Sequence, residues 1–458
     1  MKLHRRTILV FVIFGVMGTI RTTQAQVLRL TLEEAVRVAL QKNHALAEAR
    51  HEVGRADARV REAWGYALPS IDIAGRYTRA IKRPVFFFPN IFDSTAFRRG
   101  DVRAIEIGSA NSIDLNVTVS QVLFNSAVFT GVGSARIYSQ ATREVYRAKL
   151  IETITAARKA YYAVLLAAEV REMMRANMRN AEENVRNATI LAAQGLISEY
   201  DKLRAEVGLA NLRPEAIRAE NNYDLALNSL KVTLGLAVND SVEITGTLTY
   251  EPVDEGVLRS GAESVLEANP SLGALRYQLE VNDAITRVER SNFLPSLAAF
   301  GTYQFQTQQN DLRISTHDFV RSSLAGVTLS LNLFDGFRTT ARVEQAALDA
   351  RKTQEQIAYT EQSLKAAVQA TVMSLRRAKE RIDAQERTVE QAERGYRIAV
   401  TRFTTGSGTQ LEVNDAQLAL TTARTNRVQA MYDYLVAAAD LDQLLGRKPS
   451  YVQSAAEE

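Results

Sequence analysis

Cysteine is absent from this chain, so it forms no disulfide, offers no thiolate metal site and carries no lipid on a cysteine. Its four histidines (His4, His44, His51 and His317) are scattered. With no clustered histidines, no Ser/His/Asp arrangement and no supported carboxylate pair, no catalytic residue, cofactor or metal is assigned. Gly131-Val132-Gly133 reads as turn geometry, not as a phosphate loop. Lys2, Arg5, Arg6 and Arg21 account for the whole formal excess of +4, which leaves no basic footprint for a nucleic-acid partner. Past the N-terminus no run of 18 apolar residues occurs, so any membrane-spanning part has to be made of strands.

Proline is nearly as scarce, with eight in 458 residues, and its absence from long stretches is what first defines a shape. From Phe337 to about Thr405 there is no proline, and the one glycine is Gly395. A helix of that length reaches about 100 Å. Its large apolar residues recur every seventh position as Val368, Leu375, Ile382, Val389, Tyr396 and Phe403, beside a seam of mostly smaller ones through Leu364, Ala378, Ala392 and Ala399. Such a narrow stripe has to be covered by a neighbouring helix, which makes this a coiled-coil wall.

Residues 1–25 read as a signal peptide: a basic start, the apolar run Ile8 to Ile20, and Thr23-Gln24-Ala25 as a cleavage site. A helix is expected from Thr31, placed to form a capping box with Glu34, to about Trp64. Leu68-Pro69-Ser70 ends it, and the period changes from 3.6 to 2. One strand runs through Ile71, Ile73 and Tyr77, and a clearer one through Ile113, Leu115, Val117 and Val119, with polar residues alternating on the other face. Between them lies a loop, 82–100, with the aromatic stretch from Val85 to Phe97. A second long helix is expected from about Ala127 to Gln194. After a turn at Gly195 comes a helix ending at Gly235, with a kink at Pro214.

The same pattern then begins again. A shift of 226 residues aligns Asn43 with Asn269, Leu68-Pro69-Ser70 with Leu294-Pro295-Ser296, and Tyr77 with Tyr303. A shift of 210 aligns Val117-Thr118 with Val327-Thr328, and one of 211 aligns Gly195 with Gly406 and Leu234-Gly235 with Leu445-Gly446. The chain is a tandem duplication. Its expected divisions are the signal peptide, a first repeat unit at 26–235, an equatorial linker at 236–261, a second unit at 262–446 and a tail at 447–458. The second unit repeats the strands, through Leu297, Tyr303 and Phe305 and through Val327, Leu329, Leu331 and Leu333. Four strands of lipid-facing length cannot close a barrel, for which about eight is the lower limit, so several chains would share one. The short helices of each unit sum to about the length of its long helix. Stacked end to end they would match its height and leave the linker and tail as a belt at mid-height.

In this order and spacing the residues resemble the TolC-type outer-membrane efflux proteins. The resemblance rests on the duplicated unit, the Asn269-Pro270-Ser271-Leu272 turn, the Pro69 and Pro295 breaks, and Arg402-Phe403-Thr404-Thr405-Gly406 with Leu411-Glu412-Val413 and Asp415-Ala416-Gln417. It implies a mainly α chain with a β-barrel: a homotrimer, four strands per chain, a twelve-stranded barrel in outer-membrane lipid and a helical tunnel through the periplasm. It further implies a passive conduit served by an inner-membrane pump through a periplasmic adaptor, a membrane fusion protein. The turns Gly195, Leu196, Ile197, Ser198 and Gly406, Ser407, Gly408, Thr409 would be the docking tips. Phe403, Glu412 and Asp415 would form the pore constriction, where a ring of carboxylates in a narrow passage favours cations. Gly408 stands where the family can carry a basic residue, so a closing network built on that residue is not expected. The residues also fit a second reading, a periplasmic coiled-coil adaptor or structural protein with no barrel.

Overall fold

The computed structural model describes residues 27–89, 102–311 and 319–454. The expected signal peptide, the part of the 82–100 loop past Pro89 and the last four residues of the expected tail lie outside the described residues.

A short strand β1 (Leu28–Leu30) leads into α1 (Leu32–Lys42) and α2 (His44–Gly65). The capping box expected at Thr31 is present, with the Glu34 amide donating to Thr31 Oγ1 at 3.3 Å and Glu34 Oε2 accepting from the Thr31 amide at 2.8 Å. The single helix expected to run to Trp64 is instead two. Asn43 is extended (ψ 123°), ending α1 and capping α2 with its own side chain.

Next come β2 (Ser70–Arg79), β3 (Val85–Pro89), β4 (Val102–Glu106) and β5 (Asn111–Phe124), then the long α3 (Ser126–Ala193) and its return partner α4 (Glu199–Leu234). α4 is assigned as one unbroken helix through Pro214. After β6 (Val242–Ile244) the second unit supplies α5 (Glu255–Ala268), α6 (Pro270–Ser291), β7 (Ser296–Gln309), β8 (Val320–Ser330), α7 (Arg338–Thr404), α8 (Gln410–Leu444) and a short α9 (Ser450–Ser454). Two boundaries differ from expectation. α5 starts inside the 236–261 linker because Asp254 caps it, its carboxylate accepting from the Gly256 amide. The last strand stops at Ser330, leaving Leu331 and Leu333 outside, because its partner β7 begins at Ser296, directly after Pro295. A proline has no amide with which to continue the ladder.

The duplication is visible in matching hydrogen bonds. Asn43 Oδ1 accepts from the Leu46 amide (2.9 Å) while Nδ2 donates to the Thr233 carbonyl (2.8 Å). Asn269 does the same with the Leu272 amide (3.0 Å) and the Leu444 carbonyl (2.9 Å). Each asparagine thus starts one short helix and takes up a loose carbonyl at the end of another. At both joints a glycine makes the approach possible. A Cβ on Gly235 (φ 73°) would lie 2.2 Å from the Lys42 carbonyl oxygen, and one on Gly446 (φ 63°) 2.4 Å from that of Ala268. α2 and α4, of 22 and 36 residues, therefore stack beside the 68 of α3, and α6 and α8, of 22 and 35, beside the 67 of α7. α1 lies outside the stack, contrary to the height match drawn from counting it in.

At mid-height one apolar core takes Val36 and Ala39 from α1, Tyr161 and Leu165 from α3, Leu234 from α4, Leu248 from the linker and Val452 from α9. β1 pairs in parallel with β6 there, and the Tyr161 hydroxyl donates to the Thr245 carbonyl at 2.5 Å. Burial raises the Tyr161 pKa to about 12, so it stays a donor at any ordinary pH. Arg158 on α3 donates to Asp442 on α8 at 2.6 Å, tying the two units together beside this core.

Candidate functional site

Two regions carry chemistry, the sheet at one end of the helical wall and the helical tips at the other. The sheet is antiparallel in the order β2-β5-β7-β8. Its register places Ile71 opposite Val119, Ile73 opposite Val117, Val117 opposite Tyr303, Leu115 opposite Phe305 and Leu297 opposite Leu329. Because side chains alternate, all of these lie on one face. The other face holds Asp72, Arg76, Asp114, Asn116, Thr118, Gln304 and Gln306. Phe300 and Leu324 are large apolar groups on that polar face, and the Phe300 ring lies over Gly326, where a Cβ would meet it at 3.0 Å. The apolar face is uncovered, with Ile71 and Ile73 about 70% exposed, and β2 and β8 each leave one edge unpaired.

Aromatic residues mark where the sheet meets the helices. Trp64 and Tyr66 precede β2, Phe124 and Phe129 flank the end of β5, Phe293 precedes β7, and Phe334 and Phe337 follow β8, all of them exposed. A row of exposed aromatic rings at this level fits the aromatic girdle of a membrane–water interface. The sequence reading overlooked it, although the signal was there: aromatics within a few residues of all four changes of period.

At the far end, the hairpins α3–α4 and α7–α8 close in the same way. Gly195 and Gly406 both take φ 74°, and the next amides, of Leu196 and Ser407, donate back to the Leu191 and Arg402 carbonyls at 2.9 Å. This is the left-handed helix ending that glycine favours. Ser198 and Thr409 then cap the return helices through the Asp201 and Glu412 amides. Leu196 is exposed and Ile197 half-buried against the neighbouring tip. Gly408 is a tight fit, since a Cβ there would stand 2.9 Å from that of Arg402 and 3.1 Å from Glu412 Oε2.

The three expected constriction residues are in different surroundings. Asp415 is exposed, and Glu412 is half-exposed with Arg402 Nη1 3.4 Å from its carboxylate. Arg402 also donates to the Ser407 carbonyl at 3.0 Å, so it clamps the turn and partly offsets the acid. It was read only as part of the motif. Phe403 is 2% exposed, wedged among Ala188, Ala205, Ala399 and Val413. Its ring packs one tip against the other.

Farther up, the hairpins are joined through amides. Gln417 Nε2 donates to Asn177 Oδ1 (2.6 Å), and Asn177 Nδ2 to Thr421 Oγ1 (2.9 Å), beside a cleft of about 520 Å³. α4 carries the exposed residues Tyr200, Leu203, Val207 and Ile217 along one heptad face. Among the described residues no helix is long and apolar enough to cross a membrane, and no cluster could hold a metal ion.

An uncovered apolar sheet, a ring girdle and a helical wall about 100 Å long define a protein that sits in a membrane by its strands and stands off it by its helices. The chain belongs to the family of outer membrane efflux proteins, whose model matches residues 35–236 and 262–447. It is 26% identical to the cobalt-zinc-cadmium resistance protein CzcC of Cupriavidus metallidurans, over 91% of this chain and 90% of that one. It is 25% identical to outer membrane protein TolC of Vibrio cholerae, over 73% and 76%. In fold it is similar to the CmeC outer membrane channel of Campylobacter jejuni, with a TM-score of 0.74 at 18% identity over 93% of this chain and 88% of that one. The protein is an outer-membrane channel component of an efflux or secretion system. The reading as a periplasmic adaptor without a barrel is thereby set aside.

Proposed function

We propose that three copies of this chain close one twelve-stranded barrel in the outer membrane and one tunnel below it, passively conducting substrates delivered by an inner-membrane pump through a periplasmic adaptor. The observation that carries this is the four-stranded sheet, apolar over most of one face apart from Arg321 and Ser323 on β8, with both edges unpaired among the described residues. An unpaired edge is not tolerated in hydrocarbon, and the edges of three such sheets satisfy one another. The exposed heptad face of α4 is covered in this assembly by helices of the next copy. The tips Gly195 to Ser198 and Gly406 to Thr409 meet the adaptor, and Glu412 and Asp415 line the narrowest part of the tunnel. The names of the relatives span metal resistance and alkaline protease secretion, and cargo choice is assigned to the pump. Light scattering on detergent-extracted protein from the outer-membrane fraction tests the assembly. A trimer is the expected result, and a water-soluble monomer or dimer would defeat the shared barrel.

A further inference from the structure

The ribbon formed by β2 and β5 does not end with the sheet. The Ala80 amide donates to the Ala110 carbonyl at 2.9 Å, and after an irregular step the Ile107 amide donates to Pro84 at 3.0 Å, where the β3–β4 ladder begins. In that step three residues, Ile81 to Arg83, oppose two, Gly108 (φ 94°) and Ser109. An extra residue on one strand bends a ribbon. Beyond the bend, every residue of β3 and β4 is exposed, with Phe86, Phe87 and Phe88 at 52%, 70% and 45%.

The ribbon is apolar on both faces. Register puts Phe86, Phe88, Ile105 and Arg103 on one face and Val85, Phe87, Pro89, Val102, Ala104 and Glu106 on the other. A ribbon resting on a lipid surface needs only one apolar face, and a two-stranded ribbon sunk into lipid would leave both edges unpaired. Two apolar faces suit a ribbon held between two neighbours, as in a ring of three. The charges agree with such a ring. One face carries the cation Arg103 and the other the anion Glu106, so unlike faces of successive copies match head to tail. A heterologous contact of this kind closes a ring when its rotation is threefold. Reach agrees as well: five residues span about 17 Å, against a radius of roughly 12 Å for twelve tilted strands.

We infer that the β3–β4 ribbons of three copies bend inward at the step and pack face to opposite face around the barrel axis, sealing the end of the channel remote from the helices. Arg103 of each copy meets Glu106 of the next, whose carboxylate also accepts Arg83 of its own ribbon at 3.4 Å. The seal rests on the trimeric barrel proposed above.

The test uses the full chain after light scattering has established the trimer; failure at that first step defeats the shared barrel itself. With no native cysteine, Phe88→Cys combined with Ala104→Cys places thiols on opposite faces of each ribbon. Oxidation should yield covalent dimers and trimers on a denaturing gel, and monomer alone would overturn the seal. Independently, in a Glu412→Ala/Asp415→Ala background, where the tunnel tip no longer limits the current, Arg103→Glu and Glu106→Arg should each raise single-channel conductance severalfold in planar bilayers, and the double exchange should restore that background's value. Within one ribbon the two residues point to opposite faces, so restoration reports contact between copies. Equal conductance in all four proteins, or quenching of a bimane label on Phe87→Cys by brominated lipid, would overturn the proposal.

Discussion

Phe403 shows how two readings of one residue can compete. Its heptad position put it in the seam with Tyr396 and Ile382, while the resemblance put it in the constriction. Its burial agrees with the heptad. Phe403→Ala should therefore cost about 3–5 kcal/mol of stability, as for a truncated core aromatic, and leave cation preference unchanged; urea unfolding and reversal potentials check the two halves. Gly235 was legible as a C-cap, with Gly446 its counterpart in the repeat, but the backbone each one admits was not, since Lys42 and Ala268 are far away in sequence. Gly235→Ala combines a positive φ with a backbone clash, so it should lose well over about 1 kcal/mol, read as a lower melting temperature.

At the scale of elements, helical and strand periods located every long segment, and what they missed was interruption. One extended residue at Asn43 leaves the apolar spacing on either side intact, so the pattern ran on through it. The alignment of Asn43 with Asn269, whose neighbour Pro270 announces a turn, held the information that the period lacked. The hairpin β3–β4 went unseen for another reason: Pro84, Pro89 and three consecutive phenylalanines obscure any alternation. Because Asn269 satisfies a helix start and the Leu444 carbonyl together, Asn269→Ala should cost about 1–2 kcal/mol. Asn269→Asp should keep the cap but lose the donor, giving an intermediate denaturant midpoint. A further prediction concerns the pairing of α7 with α8 through Glu393 and Arg424, 2.7 Å apart. The Arg424 hydrogen bond holds the Glu393 carboxyl below its ordinary value of 4.5. A lowered pKa in the folded state means stabilisation that is present above 4.5 and lost as pH falls through the shifted value. Glu393→Gln should thus be less stable than the parent at neutral pH and match it in acid, as denaturant melts at the two pH values will show.

Over the whole molecule, the sequence conveyed the duplication and the four strands of the main sheet, because each of these is a matter of counting and spacing. It could not convey the pairing across the repeats, in which β5 of the first unit lies beside β7 of the second, because nothing local encodes a contact between residues nearly two hundred positions apart. Nor did it separate Glu412, engaged with Arg402, from the exposed Asp415. In the assembled channel, replacing both acids with alanine should raise single-channel conductance and weaken cation preference. With Arg402 already offsetting Glu412, Asp415→Ala alone should account for more than half of the change in selectivity.

The end-to-end joints at Asn43 and Asn269 also act as a gauge on length. Each long helix runs beside a stack of two shorter ones, and both are held in register by seams that repeat every seven residues. A single inserted residue in α3 would rotate everything beyond it out of its seam, and an insertion in α3 alone would pull the joint apart. Viable changes in height therefore come in whole heptads, about 10 Å each, added to a long helix and to its stack together.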